Sequence, residues 1–265
     1  MNIHTASLKG LRESNEDKHF ILANIDNKNP LYTNINFFAV FDGHGGKIVS
    51  EFLAKKLPTY FIDKKCTYPL SKLYVHSVYD RIQKSLIDNK FAQYCGSTAL
   101  AVIQYKINEE SYINVINVGD CRCIICRDNF AMPLTKDHKP GWIEERHRIE
   151  AIGGQIIFDG YDYRIKDLSV SRAFGDIDAT PYVTHKPELF RYKLDKNDKF
   201  ILLACDGCWD ILSNQDAVNY VLSNCYDNTT KNRINKEVNI AKKLAEYAIK
   251  KGSTDNVSII VIFLK

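Results

Sequence analysis

The chain has 265 residues, is 45% hydrophobic and carries a formal net charge of +4 with a pI near 8.5. It can therefore bury a large core, and so mild a charge, without long basic runs or clustered arginine, gives little support to nucleic-acid binding. No stretch reaches the roughly 20 apolar residues of a spanning helix, and the opening MNIHTASLKG has neither a signal peptide's apolar core nor a glycine for N-myristoylation.

A cytoplasmic and/or nuclear location is expected, with no membrane contact and the eight cysteines reduced. The lysine pairs at 55–56, 64–65, 242–243 and 250–251 read as solvated helix faces. Two CxxC pairs, Cys123 to Cys126 and Cys205 to Cys208, lie far from zinc-ribbon spacing, in or against apolar runs where Cys serves as a small hydrophobe.

In chain order, a strand is predicted from His4 to Leu8, then a polar turn LKGLRESNED and a strand from Phe20 to Ile25. A polar loop, Asn27 to Asn34, leads to the run Phe37 to Phe41, apolar enough to be a strand buried on both faces. A helix follows from Lys47 to Leu57, ended by Pro58, and a second from Leu70 to Phe91 with Leu70, Leu73, Val78, Ile82, Leu86 and Ile87 on its apolar face. Ser97 to Ile107, Tyr112 to Val118 and Cys121 to Arg127 read as successive strands, with Gly119-Asp120 as a hairpin signal between the last two.

From Leu134 to Asp176 the character changes to charged and Gly-rich, with a short helix at 142–152 and a strand at 155–158, which predicts a flap beside the site. Two strands then flank Asp198 and Ser213 caps a helix to Cys225. A last helix, Asn235 to Lys251, stops at Gly252 before the strand Val257 to Phe263. The economical solution is one domain, 1–265, of α+β class: two antiparallel sheets packed face to face, flanked by helix pairs.

Acids recur at the ends of the apolar runs. Asp42 and Asp206 close theirs, while Glu16, Asp17 and Asp255 open theirs, and Asp120 marks another strand end. Antiparallel pairing sets the end of one strand beside the start of the next, so these carboxylates can line a single edge. So many negative charges together repel and raise one another's pKa unless cations sit among them. Bound metal is the implication.

The ordered series Arg12 to Asp17 (RESNED), Asp42 to Gly46 (DGHGG), Gly96 to Ala99 (GSTA), Asn117 to Asp120 (NVGD), Leu134 to Pro140 (LTKDHKP), Ser171 to Asp176 (SRAFGD), Asp206 to Asp210 (DGCWD) and Asp255-Asn256 resembles the PPM family. These are the PP2C-type metal-dependent serine/threonine protein phosphatases, and the match spans nearly the whole chain. Each motif is weak alone; the ordered set is specific.

The resemblance implies an α-β-β-α sandwich around two Mg²⁺ or Mn²⁺ ions, and hydrolysis of phosphoserine and phosphothreonine by direct attack of a metal-bridging water. By motif, Asp42 resembles the carboxylate bridging both ions, with Asp206 and Asp255 on one and Glu16 and the Gly43 carbonyl on the other. Asp17 and Asn256 look like supports behind these ligands, and Asp120 and Asp210 match acids associated with a third, weaker ion. Cys121 in place of the common Ser, and Leu168-Ser169 in place of Leu-Ala, are the departures.

The residue chemistry agrees. All the proposed ligands are oxygens, which favour hard cations. Arg12 fits a bidentate phosphate clamp, its bland alternative being an ion pair with Glu13 or Glu16. His44 fits the acid that protonates the leaving alkoxide. Arg172 is a further candidate, for the substrate or for pinning the flap. Phosphorylated proteins are the expected partners and a monomer the expected state; the alternative is a catalytically silent relative acting as a binding or scaffold module, which would be expected to lose metal ligands.

Overall fold

Side-chain alternation in the central strands decides how the layers stack. The computed structural model describes residues 2–90, 92–226 and 238–264. In strand Tyr32–Phe41, Phe37, Ala39 and Phe41 join helices Ile48–Phe61 and Lys72–Asn89 in one core, while Phe38 and Val40 enter a second core shared by both sheets. Strand Asp198–Ala204 divides in the same way: Ile201 and Leu203 enter the shared core, and Phe200, Leu202 and Ala204 pack against helices Asn214–Cys225 and Ile240–Lys250. An α-β-β-α sandwich follows from this period of two.

Each sheet has five antiparallel strands. In the first the order is Asn2–Leu8, Val257–Phe263, Asp198–Ala204, Arg122–Arg127 and Phe130–Pro133; in the second it is Glu188–Lys193, Glu110–Val118, Ala99–Ile107, Tyr32–Phe41 and Lys18–Ile25. The register Lys18↔Phe41 sets the start of one strand beside the end of its neighbour, and Ala204↔Ile259 does the same in the other sheet. The expected single acidic edge results.

The CxxC spacing divides each cysteine pair between layers. Cys123 and Cys205 lie in the shared core, Cys126 and Cys208 in the outer one, so neither pair can grip one ion. All eight cysteines carry buried thiols rather than disulfides.

Several predicted details differ. Gly119-Asp120 is not a hairpin: Val118 belongs to the second sheet and Arg122 to the first, and the Gly119 backbone is engaged by His138, whose N–H reaches the Gly119 carbonyl at 3.0 Å while its Nδ1 accepts the Gly119 N–H at 3.1 Å. The tight two-residue turns are instead Asn108-Glu109 and Asp128-Asn129, each with both φ angles positive, and the second leads into the unpredicted strand Phe130–Pro133. The first helix runs through Pro58 to Phe61 because Leu57, Pro58 and Phe61 are all buried against the sheet, which offsets the lost N–H.

The second helix starts after Ser71, whose hydroxyl accepts the Tyr74 N–H. It buries Val75, Val78, Tyr79, Ile82 and Leu86, leaving Leu73 and Ile87 exposed. The predicted loop up to Asn34 gives way to strand at Tyr32, whose ring packs on Tyr68. Phe91 and the predicted helix start at Asn235 lie outside the described residues; the helix Ile240–Lys250 begins after Asn239, whose side chain accepts the Lys242 N–H at 3.1 Å.

Candidate functional site

The acidic edge opens into a cleft of about 460 Å³, lined by Arg12, Glu16, Asp42, Gly43, His44, Thr98, Asp120, Asp206, Asp255 and Asn256 from the sandwich and by Arg164 and Asp167 to Val170 from the flap. Asp42 is set by the end of its strand. The Asp42 N–H donates to Thr98 Oγ1 at 3.2 Å and its carbonyl accepts the Thr98 N–H at 2.9 Å. Asp206 opens the short helix Asp206–Trp209, and the next residue has to be glycine, because a Cβ on Gly207 would stand 2.0 Å from the Asn256 carbonyl oxygen. That close approach brings the Asp206 and Asp255 strand ends together.

Asn256 fastens the RESNED turn to this edge. Its Oδ1 accepts the Glu16 N–H at 2.8 Å, and its Nδ2 donates to the Lys9 and Ser14 carbonyls at 2.8 and 2.9 Å. The Glu16 carboxylate accepts the Gly46 N–H at 2.9 Å and the Ser14 hydroxyl at 3.1 Å. Arg12 pairs with neither Glu13 nor Glu16. Its Nη2 donates to Asp255 Oδ2 at 2.6 Å from an otherwise exposed side chain.

The electrostatics are those of crowded anions. Burial, then the charges of Asp17, Asp206, Asp120 and Asp255, push the Asp42 carboxyl well above the usual range. Burial, then Asp210 and Asp255, raise Asp206 to about 6; burial, then Asp206, raise Asp120 to about 8. Burial likewise lifts Asp17 to about 6, and its Oδ2 is buried without a hydrogen-bond partner. Anions held so far from their solution behaviour favour any cation that replaces the missing water.

Asp17 does not line the cleft but sits behind Asp42, with Cys205 close to both. That sulfur is committed, donating to the Asn256 carbonyl at 3.4 Å and accepting the Ser258 N–H at 3.1 Å, and burial keeps the thiol protonated. The hard carboxylate oxygens are thus the donors open to an ion.

His44 Nε2 lies 2.9 and 2.8 Å from the two oxygens of Asp176, at the end of the SRAFGD motif. Burial lowers the His44 pKa, but the hydrogen bond and charge of Asp176 outweigh it and the net shift is upward. The pair needs Gly96 beside it: a Cβ there would meet Asp176 Oδ2 at 2.1 Å and His44 Nε2 at 2.6 Å. Asp176 has no assigned role in the sequence-based expectation, and its only signal is its place in that motif.

Two predicted residues lie elsewhere. Arg172 is absent from the cleft lining; its guanidinium is drawn to the buried carboxylate of Glu145, with Nε at 2.9 Å from Oε1, and Nη1 donates to the Lys186 carbonyl at 3.1 Å. Of its two expected uses, the pin inside the flap is the one its contacts fit. Asp210 projects outside the cleft lining with a largely exposed side chain, 3.5 Å from Lys139 Nζ.

A family model described as protein phosphatase 2C matches residues 2–257. A PP2C-like domain-containing protein of Acanthamoeba polyphaga mimivirus is 51% identical over 167 residues, 57% of this chain and 93% of the relative. A probable protein phosphatase 2C of Oryza sativa subsp. japonica is 35% identical over 97% of this chain and 85% of its own length. Among solved structures, a serine-threonine phosphatase 2C from Toxoplasma gondii superposes with a TM-score of 0.79 at 21% identity, over 99% of this chain and 94% of that one, a likeness of fold. With the sandwich, the acidic cleft and a family match over nearly its full length, the chain belongs to the protein phosphatase 2C family.

Proposed function

We propose that the cleft hydrolyses phosphoserine and phosphothreonine in protein substrates, using two hard divalent ions, Mg²⁺ or Mn²⁺. The observation that carries this reading is the convergence of Asp42, Asp206, Asp255 and Glu16, from four separate stretches of chain, on one cleft where burial and mutual repulsion raise Asp42 and Asp206. The donor set fits such ions: Asp42, Asp206, Asp255, Glu16 and Gly43 all line the cleft, and the ligands proposed from them are all carboxylate or carbonyl oxygens. Asp42, Asp206 and Asp255 would hold one ion, and Asp42, Glu16 and the Gly43 carbonyl the other. When bound, the ions supply charge neutralisation for the phosphoryl group and a water acidic enough to attack phosphorus.

The chain's own residues do the rest. Arg12, tied by one nitrogen to Asp255, keeps its other donors for the phosphate oxygens and so orients the ester. With Nε2 committed to Asp176, the proton that His44 delivers sits on Nδ1, and the Asp176 carboxylate both fixes the ring and stabilises its charged form. An alkoxide leaving group gains most from that proton.

The test is phosphate release from a phosphothreonine peptide with Mn²⁺, with and without chelator. Release that stops with chelator and returns with added Mn²⁺ is expected. Equal rates in both conditions would overturn the metal-dependent reading.

A further inference from the structure

Lys139 stands where the acids of the cleft meet the flap. Its Nζ is 3.5 Å from Asp120 Oδ2, 3.5 Å from Asp162 Oδ2 and 3.5 Å from Asp210 Oδ1. The three carboxylates come from different parts of the fold: the crossing between the sheets, the flap hairpin Ile157–Phe158/Tyr163–Arg164, and the end of helix Asp206–Trp209. The lysine side chain is only 17% exposed, and Asp120 is buried. A single ammonium thus sits among three carboxylates drawn from separate parts of the fold.

We propose that Lys139 is a built-in, displaceable cation that ties the flap hairpin to the acidic cleft and competes with a divalent ion for Asp120 and Asp210. The inference rests on reading the cleft as a divalent-metal centre. Mg²⁺ and ions of its size take oxygens at roughly 2.0–2.1 Å. Oxygens now at 3.5 Å around Nζ would have to close on the point the ammonium occupies, so ion and lysine exclude each other. A compact charge on a flexible four-carbon stem can swing away, as a fixed guanidinium fork could not do so readily. Reciprocity then follows: whatever holds Lys139 among the acids weakens ion binding there, and ion binding releases the hairpin.

The experiment is Mn²⁺ titration calorimetry on metal-free protein, with hydrogen exchange read over 157–164, for wild type, Lys139→Met, Lys139→Arg and Asp162→Asn. Lys139→Met is expected to bind an ion beyond the first two at least tenfold more tightly than wild type, an increase removed by adding Asp120→Asn, and to exchange several-fold faster over the hairpin. Lys139→Arg should keep wild-type exchange, and Asp162→Asn should speed it.

Two ions bound by wild type, with unchanged affinity for a further ion in Lys139→Met, would overturn the role of Lys139 and leave the metal centre standing. No ion bound by wild type would overturn both. Should Lys139→Met fail to fold, Asp162→Asn decides, and unaltered exchange over 157–164 defeats the proposal.

Discussion

The floor of the cleft and its flap are built on opposite principles. The floor hangs from strands such as Tyr32–Phe41, buried over 35–41, and Val257–Phe263, buried throughout, so its carboxylates are carried by apolar packing that outweighs their repulsion. The flap has a small core, Ile149, Ile165, Val170 and Ala173, completed by Ala179 and Val183 just beyond it, and is otherwise fastened by charge: Glu145 takes both Arg148 and Arg172, and Lys139 reaches Asp162. Repulsion is tolerated in the floor because the scaffold does not depend on it. In the flap, attraction is the scaffold, which makes that region responsive to ions and to substitutions of charge.

Breaking the floor should have the largest effect. Asp42→Asn or Asp206→Asn is expected to remove nearly all metal-dependent phosphate release, more than the 10- to 100-fold typical of losing a partner behind a ligand; rates within a few-fold of wild type would count against their proposed roles. His44→Ala should lower turnover of alkyl phosphates by about 10²- to 10⁴-fold and spare activated aryl phosphates, whose leaving group needs no proton. Asp176→Asn should reproduce that selectivity at a smaller scale. The two losses should fail to add when combined, since both act through one imidazole.

In the flap, Glu145→Ala leaves two partly buried arginines without their carboxylate and should cost about 3 to 5 kcal/mol in thermal or denaturant unfolding. Burial raises the Glu145 pKa, but Arg172 and Arg148 outweigh it and hold it at about 2, so this contribution persists across the neutral range and is lost only in strong acid.

The last effect is read by its sign rather than its size. Asp17 and Asp206 at about 6 and Asp120 at about 8 bind protons more tightly folded than their ordinary value of 3.8 allows unfolded. Their contribution to stability is full below pH 3.8 and declines as pH rises through about 6 to 8. Melting of the metal-free protein should therefore fall between pH 5 and pH 8, beyond what other groups cause, and the gain from added Mn²⁺ should be greatest at pH 8. A gain independent of pH would count against the crowded-anion picture.

The same contrast explains what could be read in advance. The layers and the acidic edge were legible because Phe37 to Phe41 and Val257 to Phe263 are largely apolar runs, the second interrupted only by Ser258, that end or start at acids. Partners that depend on tertiary position were not. Nothing in the spacing of His44 and Asp176 says that they touch, and nothing near Lys139 says that it will face three carboxylates contributed by residues 120, 162 and 210. Local rules also yielded to packing: Pro58 stays helical because its neighbours are buried, and Gly119-Asp120 crosses between sheets because His138 takes its backbone hydrogen bonds.

The most direct measurement is a crystal structure grown with Mn²⁺ and phased for anomalous signal. Two strong peaks a few ångströms apart, with Asp42 between them, Asp206 and Asp255 against one and Glu16 with the Gly43 carbonyl at the other, are the expected result. A map without ions among these carboxylates would contradict the proposed centre.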